Sequence, residues 1–317
     1  MTDLVSFGES MLRLTPPDDD RLERTDSFEI HIAGAESNVA VAAQRLGVDT
    51  TWISKLPDSA VARRLVRPLA SHGVDADVVW TEDGRQGLYY LETGGEPRGL
   101  NVVYDRAGAA VTTAETSELP TERVRDARMF YTTGITPALS STLETTTREL
   151  LEIARDAGTT TGFDLNYRSK LWSPAEARTT LTNLFPLVDV AVIPEDDAEQ
   201  VLGREGGGER LARDLQEEYG FETVVVTRGG EGALALEDGA VHEQGAYETE
   251  TVDRVGTGDA FVGGFLAQYL DDAPIPAALE YGAATAALKR TIPGDVAVVT
   301  SGEVEAVIAR GGQDISR

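Results

Sequence analysis

The sequence contains no cysteine, three histidines and three lysines among its 317 residues. The absence of cysteine excludes disulfides, thiolate metal sites and cysteine catalysis. His31, His72 and His242 are scattered along the chain, so we expect no catalytic group built on histidine. No apolar run approaches the ~20 residues that a membrane-spanning helix requires. The first residues lack a basic segment followed by an apolar stretch, so we expect no secretory signal and a cytoplasmic location.

Positive charge is also scarce. The chain has 28 basic and 54 acidic residues, which gives a net charge of −26. A nucleic acid or an anionic membrane surface needs a basic face that neutralises phosphates, so we expect neither as a partner. The acidic residues are spread along the chain rather than gathered in a tail. We interpret this composition as adaptation to high salt, where screening reduces repulsion between surface charges.

Short apolar segments alternate with amphipathic segments along the chain. The apolar segments, which we predict as buried strands, are 4–7, 51–54, 129–133, 160–165, 189–193 and 223–227. The amphipathic segments have helical spacing and end at glycine; they are SNVAVAAQRLG, SSTLETTTRELLEIARDAG and GERLARDLQEEYG. This alternation predicts an α/β fold with a mostly parallel sheet and helices on both faces.

Two segments interrupt the alternation. Residues 10–32 are polar and strand-like, and residues 86–104 have the pattern of a hairpin around Gly94 and Gly95. Because such strands cannot join a parallel sheet locally, we expect a small β-structure that projects from one domain covering residues 1–317. We place its strands within about 10–32 and 86–106. An unpaired strand edge on this structure favours association between copies of the chain.

Three glycine-containing motifs carry the candidate chemistry. They are AGAESNVAVAAQRLG (33–47), TRGGEGAL (227–234) and DRVGTGDAFVGGF (253–265). In the third, Gly256 and Gly258 leave the N–H groups of a helix N-terminus accessible to an anion. Taken singly, the first motif is more simply explained by a helix cap at Ser37 or Asn38, and Asp259 likewise as a cap, while TRGGEGAL is equally well a plain turn.

Together, in this order and spacing, the motifs resemble those of the ribokinase (PfkB) family of carbohydrate kinases over essentially the whole chain. The resemblance implies a ribokinase-like fold with a small β lid, ATP and Mg²⁺ as cofactors, and room for a monovalent cation such as K⁺. It implies that Asp259 takes the proton from the primary hydroxyl of a sugar. The residues that it places around the transferred phosphoryl group are Gly256, Thr257 and Gly258.

The same resemblance implies the remaining contacts. Thr227, Arg228 and Gly230 lie along the nucleotide, and Gly34 and Asn38 face the sugar. Phosphoryl transfer needs positioning and charge stabilisation more than covalent help, which agrees with these roles. The chain has no GxxxxGK[ST] motif, so phosphate binding depends on backbone N–H groups and a helix dipole.

Within the family, several residues resemble those of the 2-keto-3-deoxygluconate kinases. Besides Glu36 in GAESN, they are Tyr90, Tyr104 and Arg106 in or just after the hairpin and Arg168 in DLNYR. Two arginines that converge on one pocket suit a carboxylate, which a guanidinium binds bidentately. The alternative is that both arginines pair with surface acids.

Other positions carry separate expectations. In DLNYR, we expect Asp164 and Asn166 on the structural or nucleotide side. Three positions depart from the family pattern. PEDDAEQ (194–200) has Pro194 and Asp197 where an NxxE motif organises magnesium-bound water, so Asp197 would act through water. The other two are Pro57, where a glycine is expected, and Arg254, where a small residue or proline is usual.

These features predict a kinase that uses ATP to phosphorylate the terminal hydroxyl of 2-keto-3-deoxygluconate, giving the 6-phosphate. A fructokinase or ribokinase-type sugar kinase is the nearest alternative. A non-catalytic sugar or nucleotide sensor is another, and the intact GTGD argues against it because binding alone needs no base. A Rossmann dehydrogenase is disfavoured, since no GxGxxG follows the strand in LVSFGES.

Overall fold

The computed structural model describes residues 2–94, 97–204 and 206–311. The strands in these ranges are β1 (Leu4–Phe7), β2 (Met11–Thr15), β3 (Glu29–Ala33), β4 (Thr50–Pro57), β5 (Asp75–Thr81), β6 (Leu88–Glu92), β7 (Asn101–Asp105), β8 (Met129–Thr133), β9 (Thr160–Asp164), β10 (Val190–Pro194), β11 (Thr223–Thr227), β12 (Ala233–Glu237) and β13 (Ala240–Gln244). The helices are α1 (Ala35–Arg45), α2 (Ala60–Ser71), α3 (Thr121–Arg125), α4 (Ser141–Ala157), α5 (Pro174–Leu184), α6 (Glu195–Asp197), α7 (Glu209–Tyr219), α8 (Thr257–Leu270), α9 (Ile275–Arg290) and α10 (Ser301–Arg310).

The main sheet has nine strands in the order β13-β12-β11-β10-β9-β8-β1-β4-β5. The strands from β11 to β5 pair in parallel, whereas β12 and β13 continue the sheet with antiparallel pairing. Every strand predicted from an apolar run is present in this sheet. Strands buried on both faces are continuous apolar runs, and for this reason the sequence shows them clearly.

Helices cover both faces of the main sheet. One face packs against α4, α5 and α7 through side chains such as Leu150, Leu181 and Leu215. The other packs against α1, α8 and α9. The predicted mostly parallel sheet flanked by helices is confirmed. Helix α8 lies very close to its neighbours, since a Cβ on Gly263 would lie 2.4 Å from the Cβ of Ala42. This close packing fixes the position of the α8 N-terminus.

The second sheet, which we call the lid, has the order β3-β2-β6-β7. Its pairing is antiparallel between β2 and β3 and between β6 and β7, and parallel between β2 and β6. These strands occupy the two segments that interrupt the strand-helix alternation. Gly94 lies between β6 and β7, but Gly95 lies outside the described residues and the predicted turn there is not described further.

The lid has two different faces. On the inner face, Met11, Tyr89 and Leu91 pack together, with Val255 of the main domain against them. On the outer face, apolar side chains are exposed; they are Phe28, Ile30 and Val103. The expected association between copies, which rests on an unpaired strand edge of the lid, stays a prediction. Among the described residues, no helix is both long enough and apolar enough to cross a membrane.

Candidate active site

A cavity of about 810 Å³ opens between the main sheet and the inner face of the lid. Its floor includes Asp164, Pro194 and Thr227, the last residues of β9, β10 and β11. The carboxyl ends of parallel strands meet at one edge of the sheet, which is where open α/β folds bind ligands. The lid closes the opposite side with Tyr89 and Tyr104. The fold therefore provides one enclosed site at the expected edge.

The cavity collects most residues that the sequence identifies as candidates. Those that line it are Gly34, Asn38, Tyr104, Arg106, Asn166, Arg168, Asp197, Thr227, Arg228, Gly230, Gly256, Thr257, Gly258 and Asp259. Tyr90 is not among them, because it points to the outer face of β6 and packs edge-to-face on Phe28, with ring centroids 5.7 Å apart. Successive side chains of a strand point to opposite faces, and Tyr89 is the tyrosine of β6 that lines the cavity.

The N-terminus of α8 forms the centre of the cavity floor. Its N-cap is Gly256, with φ of 77°, and a Cβ there would lie 1.9 Å from the carbonyl oxygen of Asp295. Only glycine fits this position. A Cβ on Gly258 would meet nothing within 4 Å. Residues 256–258, which we call the anion-hole turn, open a 14-residue helix. The Thr257 N–H donates to the Arg254 carbonyl at 3.3 Å, so the turn offers an anion the N–H groups of Gly256 and Gly258, which have no acceptor among the described residues.

Asp259 is the third residue of α8 and makes no capping hydrogen bond there. Its carboxylate accepts a hydrogen bond of 2.7 Å from the side-chain amide of Asn38. Asn38 does not cap α1 either, because the N-cap of that helix is Gly34. The structure therefore rules out the helix-cap explanation for both residues. It joins the first glycine motif to the third at one hydrogen bond.

The pKa of Asp259 is raised to about 6 because the protein around it removes water from the carboxylate. The hydrogen bond from Asn38 and the charge of Arg168 oppose this effect. The carboxylate is consequently ionised at neutral pH, with a pKa close to the pH at which a general base works best. Asp259 is equipped to accept a proton from a hydroxyl group bound in the cavity.

Glu36 lies behind Asp259 at the bottom of the cavity and is 1% exposed. One of its oxygens, Oε1, accepts hydrogen bonds from the Oγ1 atoms of Thr133 and Thr136, each at 2.7 Å, and from the Thr133 amide at 3.2 Å. Burial raises the pKa of Glu36 to about 7. Because these bonds hold its carboxyl group inside the protein, Glu36 supports the floor of the cavity.

Arg106 is not a free cation. It forms an ion pair with Glu9, and the two side chains are 12% and 4% exposed. Its guanidinium also lies over the ring of Tyr104, 5.3 Å from the centroid. The sequence leaves open whether Arg106 binds substrate or pairs with a surface acid. The structure gives a third arrangement, in which Arg106 lines the cavity and pairs with a buried acid that the sequence analysis does not identify.

Arg168 is placed differently. It donates a hydrogen bond of 2.9 Å to the Tyr167 carbonyl, and no carboxylate of the described residues lies within 4.0 Å of it. Burial raises the pKa values of Asp164, Asp197 and Asp259, and the charge of Arg168 opposes this rise in all three. Arg168 is therefore a cavity cation whose charge is available to an anionic ligand.

The carboxyl ends of strands β9 to β11 form another part of the cavity. Thr227, Arg228 and Gly230 lie on the connection from β11 to β12, and Arg228 reaches Glu243 at 3.3 Å. Asn166 donates to the Asp164 carboxylate at 3.2 Å. This part has few apolar side chains and an open glycine turn, so a polar ligand with phosphate groups can lie along it.

Two carboxylates in this part fit a divalent cation. Asp164 is 5% exposed, and its Oδ1 atom has no hydrogen-bond partner in the described part of the chain. Asp197 uses Oδ2 to accept from the Tyr167 amide at 2.9 Å. Burial raises the pKa of both groups. A cation bound beside them would lower these pKa values, because it stabilises the ionised carboxylates. Carboxylate oxygens are the ligands that Mg²⁺ prefers, so the set fits that ion.

Some site residues are not identified by the sequence analysis. Glu9 lies two residues after the end of β1, and its only signal is this place beyond the carboxyl end of a predicted strand. Tyr89 and Leu91 alternate with outward-facing residues, a period of two that marks a strand but not which side faces the cavity. Asp295 lies in the loop 291–296, far along the chain from the residues that it contacts, and no local pattern indicates its role.

Comparison with known proteins agrees with this geometry. The family model described as pfkB family carbohydrate kinase matches residues 1–301. The chain is 58% identical over 315 residues to a 2-dehydro-3-deoxygalactonokinase of Haloferax volcanii, covering 99% of each protein. It is 32% identical to a 2-dehydro-3-deoxygluconokinase of Bacillus subtilis, covering 93% of this chain and 91% of that protein. The crystal structure of a 2-dehydro-3-deoxygluconokinase from Thermotoga maritima superimposes with a TM-score of 0.92 at 35% identity, covering 97% of this chain and 98% of the other. The chain therefore belongs to the pfkB family of carbohydrate kinases.

Proposed function

We propose that the protein transfers a phosphoryl group from ATP to the terminal hydroxyl of a six-carbon 2-keto-3-deoxy sugar acid. The observation that carries the proposal is the presence of Arg168, a cation without an ion-pair partner among the described residues, in the same cavity as Asp259. A neutral sugar offers such a cation only uncharged hydroxyl oxygens, whereas a substrate carboxylate offers an opposite charge and two acceptor oxygens.

The reaction uses Asp259 as the base. As the substrate oxygen forms its bond to the γ-phosphorus, its proton passes to the Asp259 carboxylate, and the bond from phosphorus to the bridging oxygen breaks to release ADP. The N–H groups of the anion-hole turn face the phosphoryl oxygens, where negative charge is concentrated during transfer. The hydrogen bond from Asn38 keeps the Asp259 carboxylate oriented during phosphoryl transfer.

Two further acceptors suit the hydroxyl groups of a sugar. Glu9 Oε1 and Asn38 Oδ1 are buried, and neither has a hydrogen-bond partner among the residues that the structure describes. Both residues line the cavity. A buried acceptor without a partner is costly, and a ligand hydroxyl that donates to it removes this cost. Each atom has almost no exposed surface, so a polyhydroxylated ligand would reach it only if the side chain moves.

Recognition of the acid group involves both arginines unequally. Arg168 contributes a full charge, whereas the charge of Arg106 is largely balanced by Glu9. Arg106 still offers N–H groups that Glu9 and Tyr104 hold in place. It therefore orients the substrate carboxylate by hydrogen bonds more than it attracts it by net charge. Binding of the carboxylate therefore depends more strongly on Arg168.

ATP and Mg²⁺ complete the proposal. The nucleotide would lie along Thr227, Arg228 and Gly230, and a magnesium ion would be held by Asp164 and, through water, by Asp197. When bound, the ion neutralises charge on the phosphate chain. Asp164 offers an oxygen that has no hydrogen-bond partner among the described residues, and Asp197 occupies the position at which the usual glutamate is missing.

The configuration at C4 of the substrate distinguishes 2-keto-3-deoxygalactonate from 2-keto-3-deoxygluconate. The sequence analysis predicts the gluconate form. Identity of 58% to the Haloferax kinase, against 32% to the Bacillus kinase, supports the galactonate form as the better substrate. We propose that the protein accepts both epimers and prefers 2-keto-3-deoxygalactonate.

A coupled assay of ADP release in molar KCl tests the proposal. The substrates to compare are 2-keto-3-deoxygalactonate, 2-keto-3-deoxygluconate, fructose, ribose and adenosine. We expect the two acids to have the highest kcat/KM, with the galactonate epimer first. A preference for fructose or ribose would indicate that the protein is a fructokinase or a ribokinase instead. Binding of ATP and an acid without turnover would favour the sensor alternative.

A further inference from the structure

Lys289 is one of three lysines in the chain, and its side chain is fully buried at the C-terminal end of α9. Its ammonium group donates to the carbonyl oxygens of Asp253, at 3.0 Å, and Ile292, at 3.4 Å. Burial lowers the pKa of Lys289, and the carboxylates of Asp253 and Asp295 oppose this effect. A lysine is almost never buried unless it is paired, so this position needs an explanation.

The two carbonyl groups belong to the loops that support the anion-hole turn. One loop, 251–256, leads directly into α8. The other, 291–296, places the Asp295 carbonyl oxygen against Gly256, where a Cβ would lie 1.9 Å away. The Lys289 ammonium bridges these two loops beneath the turn. Moving either loop would change the direction of the N–H groups that receive the phosphoryl group.

The same loops carry a balanced set of buried charges. Arg13 of β2 donates to Asp253 and Asp295, each at 2.8 Å, and Tyr89 of β6 donates to Asp295 at 2.9 Å. Two cations, Arg13 and Lys289, therefore face two carboxylates. Removing the ammonium would leave one buried negative charge uncompensated under the turn, which is strongly destabilising.

We propose that Lys289 is a positioning residue that supplies the fixed monovalent cation of the anion-hole turn, so that catalysis does not depend on K⁺. The inference rests on the proposed kinase function. Carbonyl oxygens of two loops are the ligands that a monovalent metal ion would use, and here both bind the ammonium. A K⁺ ion at the same oxygens would be repelled by the adjacent positive charge. The residues therefore do not fit a metal ion at this position.

The first test uses the unmodified protein. Its kcat is measured in KCl, NaCl and tetramethylammonium chloride at equal high ionic strength and equal Mg²⁺, with circular dichroism to check that it remains folded. We expect the same kcat in the three salts. Loss of kcat in tetramethylammonium chloride while the protein stays folded would overturn the inference and leave the kinase function intact.

The second test uses Lys289→Met, which keeps an unbranched side chain one atom shorter than lysine and removes the charge. We expect kcat to fall about 10²-fold because the donors lose alignment, with a smaller change in KM for ATP. K⁺ should restore part of the loss and tetramethylammonium should not. The matched control is Lys55→Met, another buried lysine that binds a carbonyl and Glu118. It should reduce stability without changing kcat or the response to K⁺. A Lys289→Met protein with unchanged kcat would contradict the proposal.

A third readout does not require activity. Crystals soaked in Rb⁺ should show no anomalous peak bound to the carbonyl oxygens of Asp253 and Ile292 in the unmodified protein. Such a peak would overturn the inference even if the protein proves to have no kinase activity. If Lys289→Met does not fold, the salt comparison and the Rb⁺ soak of the unmodified protein still decide the question.

Discussion

The side-chain amide of Asn38 donates a hydrogen bond of 2.7 Å to the Asp259 carboxylate, although 221 positions separate the two residues. The bond joins the first turn of α1 to the first turn of α8. It engages one carboxylate oxygen, Oδ2, and lowers the pKa of a group that burial would otherwise raise further. Asn38 thereby orients the carboxylate that we propose as the base and lowers its pKa.

Asn38→Ala should shift the pH dependence of the reaction. The pKa of Asp259 is about 6, so kcat should fall as the pH drops below that value and the base becomes protonated. Removing the amide donor raises this pKa, so the acidic limb of the profile should move to higher pH. The control is Asn183→Ala on the exposed surface of α5. An unchanged limb in Asn38→Ala would mean that Asp259 does not titrate as the base.

The two glycines of the anion-hole turn should respond differently to alanine. Gly258→Ala adds a Cβ that meets no protein atom within 4 Å, so stability should be retained while kcat falls as the methyl group enters the phosphoryl site. Gly256→Ala requires a positive φ and a clash with Asp295, so it should lower the melting temperature as well. Thermal unfolding and kcat, measured together, check both. A fully active Gly258→Ala would place the phosphoryl group elsewhere.

Arg168→Ala should affect the acid substrate selectively. A charge-assisted hydrogen bond contributes ~1.5–3 kcal/mol, so KM for a keto-deoxy sugar acid should rise roughly ten- to a hundred-fold. KM for ATP should change little. Arg106→Ala should have a mixed effect, because it also leaves Glu9 buried without its partner. The control is Arg210→Ala, an exposed arginine of α7. Equal losses on a sugar acid and on fructose would mean that Arg168 is structural.

The net charge of −26 should make stability depend on salt. Repulsion between surface acids acts over ~30 Å at ~0.01 M salt and over ~3 Å at ~1 M. The melting temperature, followed by circular dichroism, should rise steeply across a KCl series. NaCl at the same concentrations should give a similar rise if screening is the cause. A melting temperature independent of salt would contradict adaptation to high salt.

The sequence predicts the central strands well and the edge strands poorly. Runs such as TVVVT at 223–227 are apolar throughout because both faces of the strand are covered by helices. The antiparallel strands β12 and β13 are missed, since they extend the edge of the sheet and β13 has few buried residues. Their formation depends on a tight turn and a partner strand, which a local apolar pattern does not show.

For the site, the sequence predicts the motif residues and misses their long-range partners. Asp259, Asn38 and Arg168 line the cavity as the motifs indicate. The period of two in β6 does not show which face meets the cavity. The sequence therefore predicts Tyr90 as a site residue, whereas Tyr89 lines the cavity. Lys289 carries one weak signal, a lysine that directly follows the mostly apolar stretch YGAATAAL. Its role depends on contact between α9 and the loop before α8, which no local pattern encodes.

The kinetics of Asp259→Asn test the central claim most directly. The substitution keeps the size of the side chain and removes its ability to take a proton. We predict a normal melting temperature, normal binding of ATP and a loss of ~10²–10⁴-fold in kcat with a keto-deoxy sugar acid, which is the usual contribution of a general base. A variant that binds ATP and turns over at nearly the rate of the unmodified protein would show that Asp259 is not the base of this reaction.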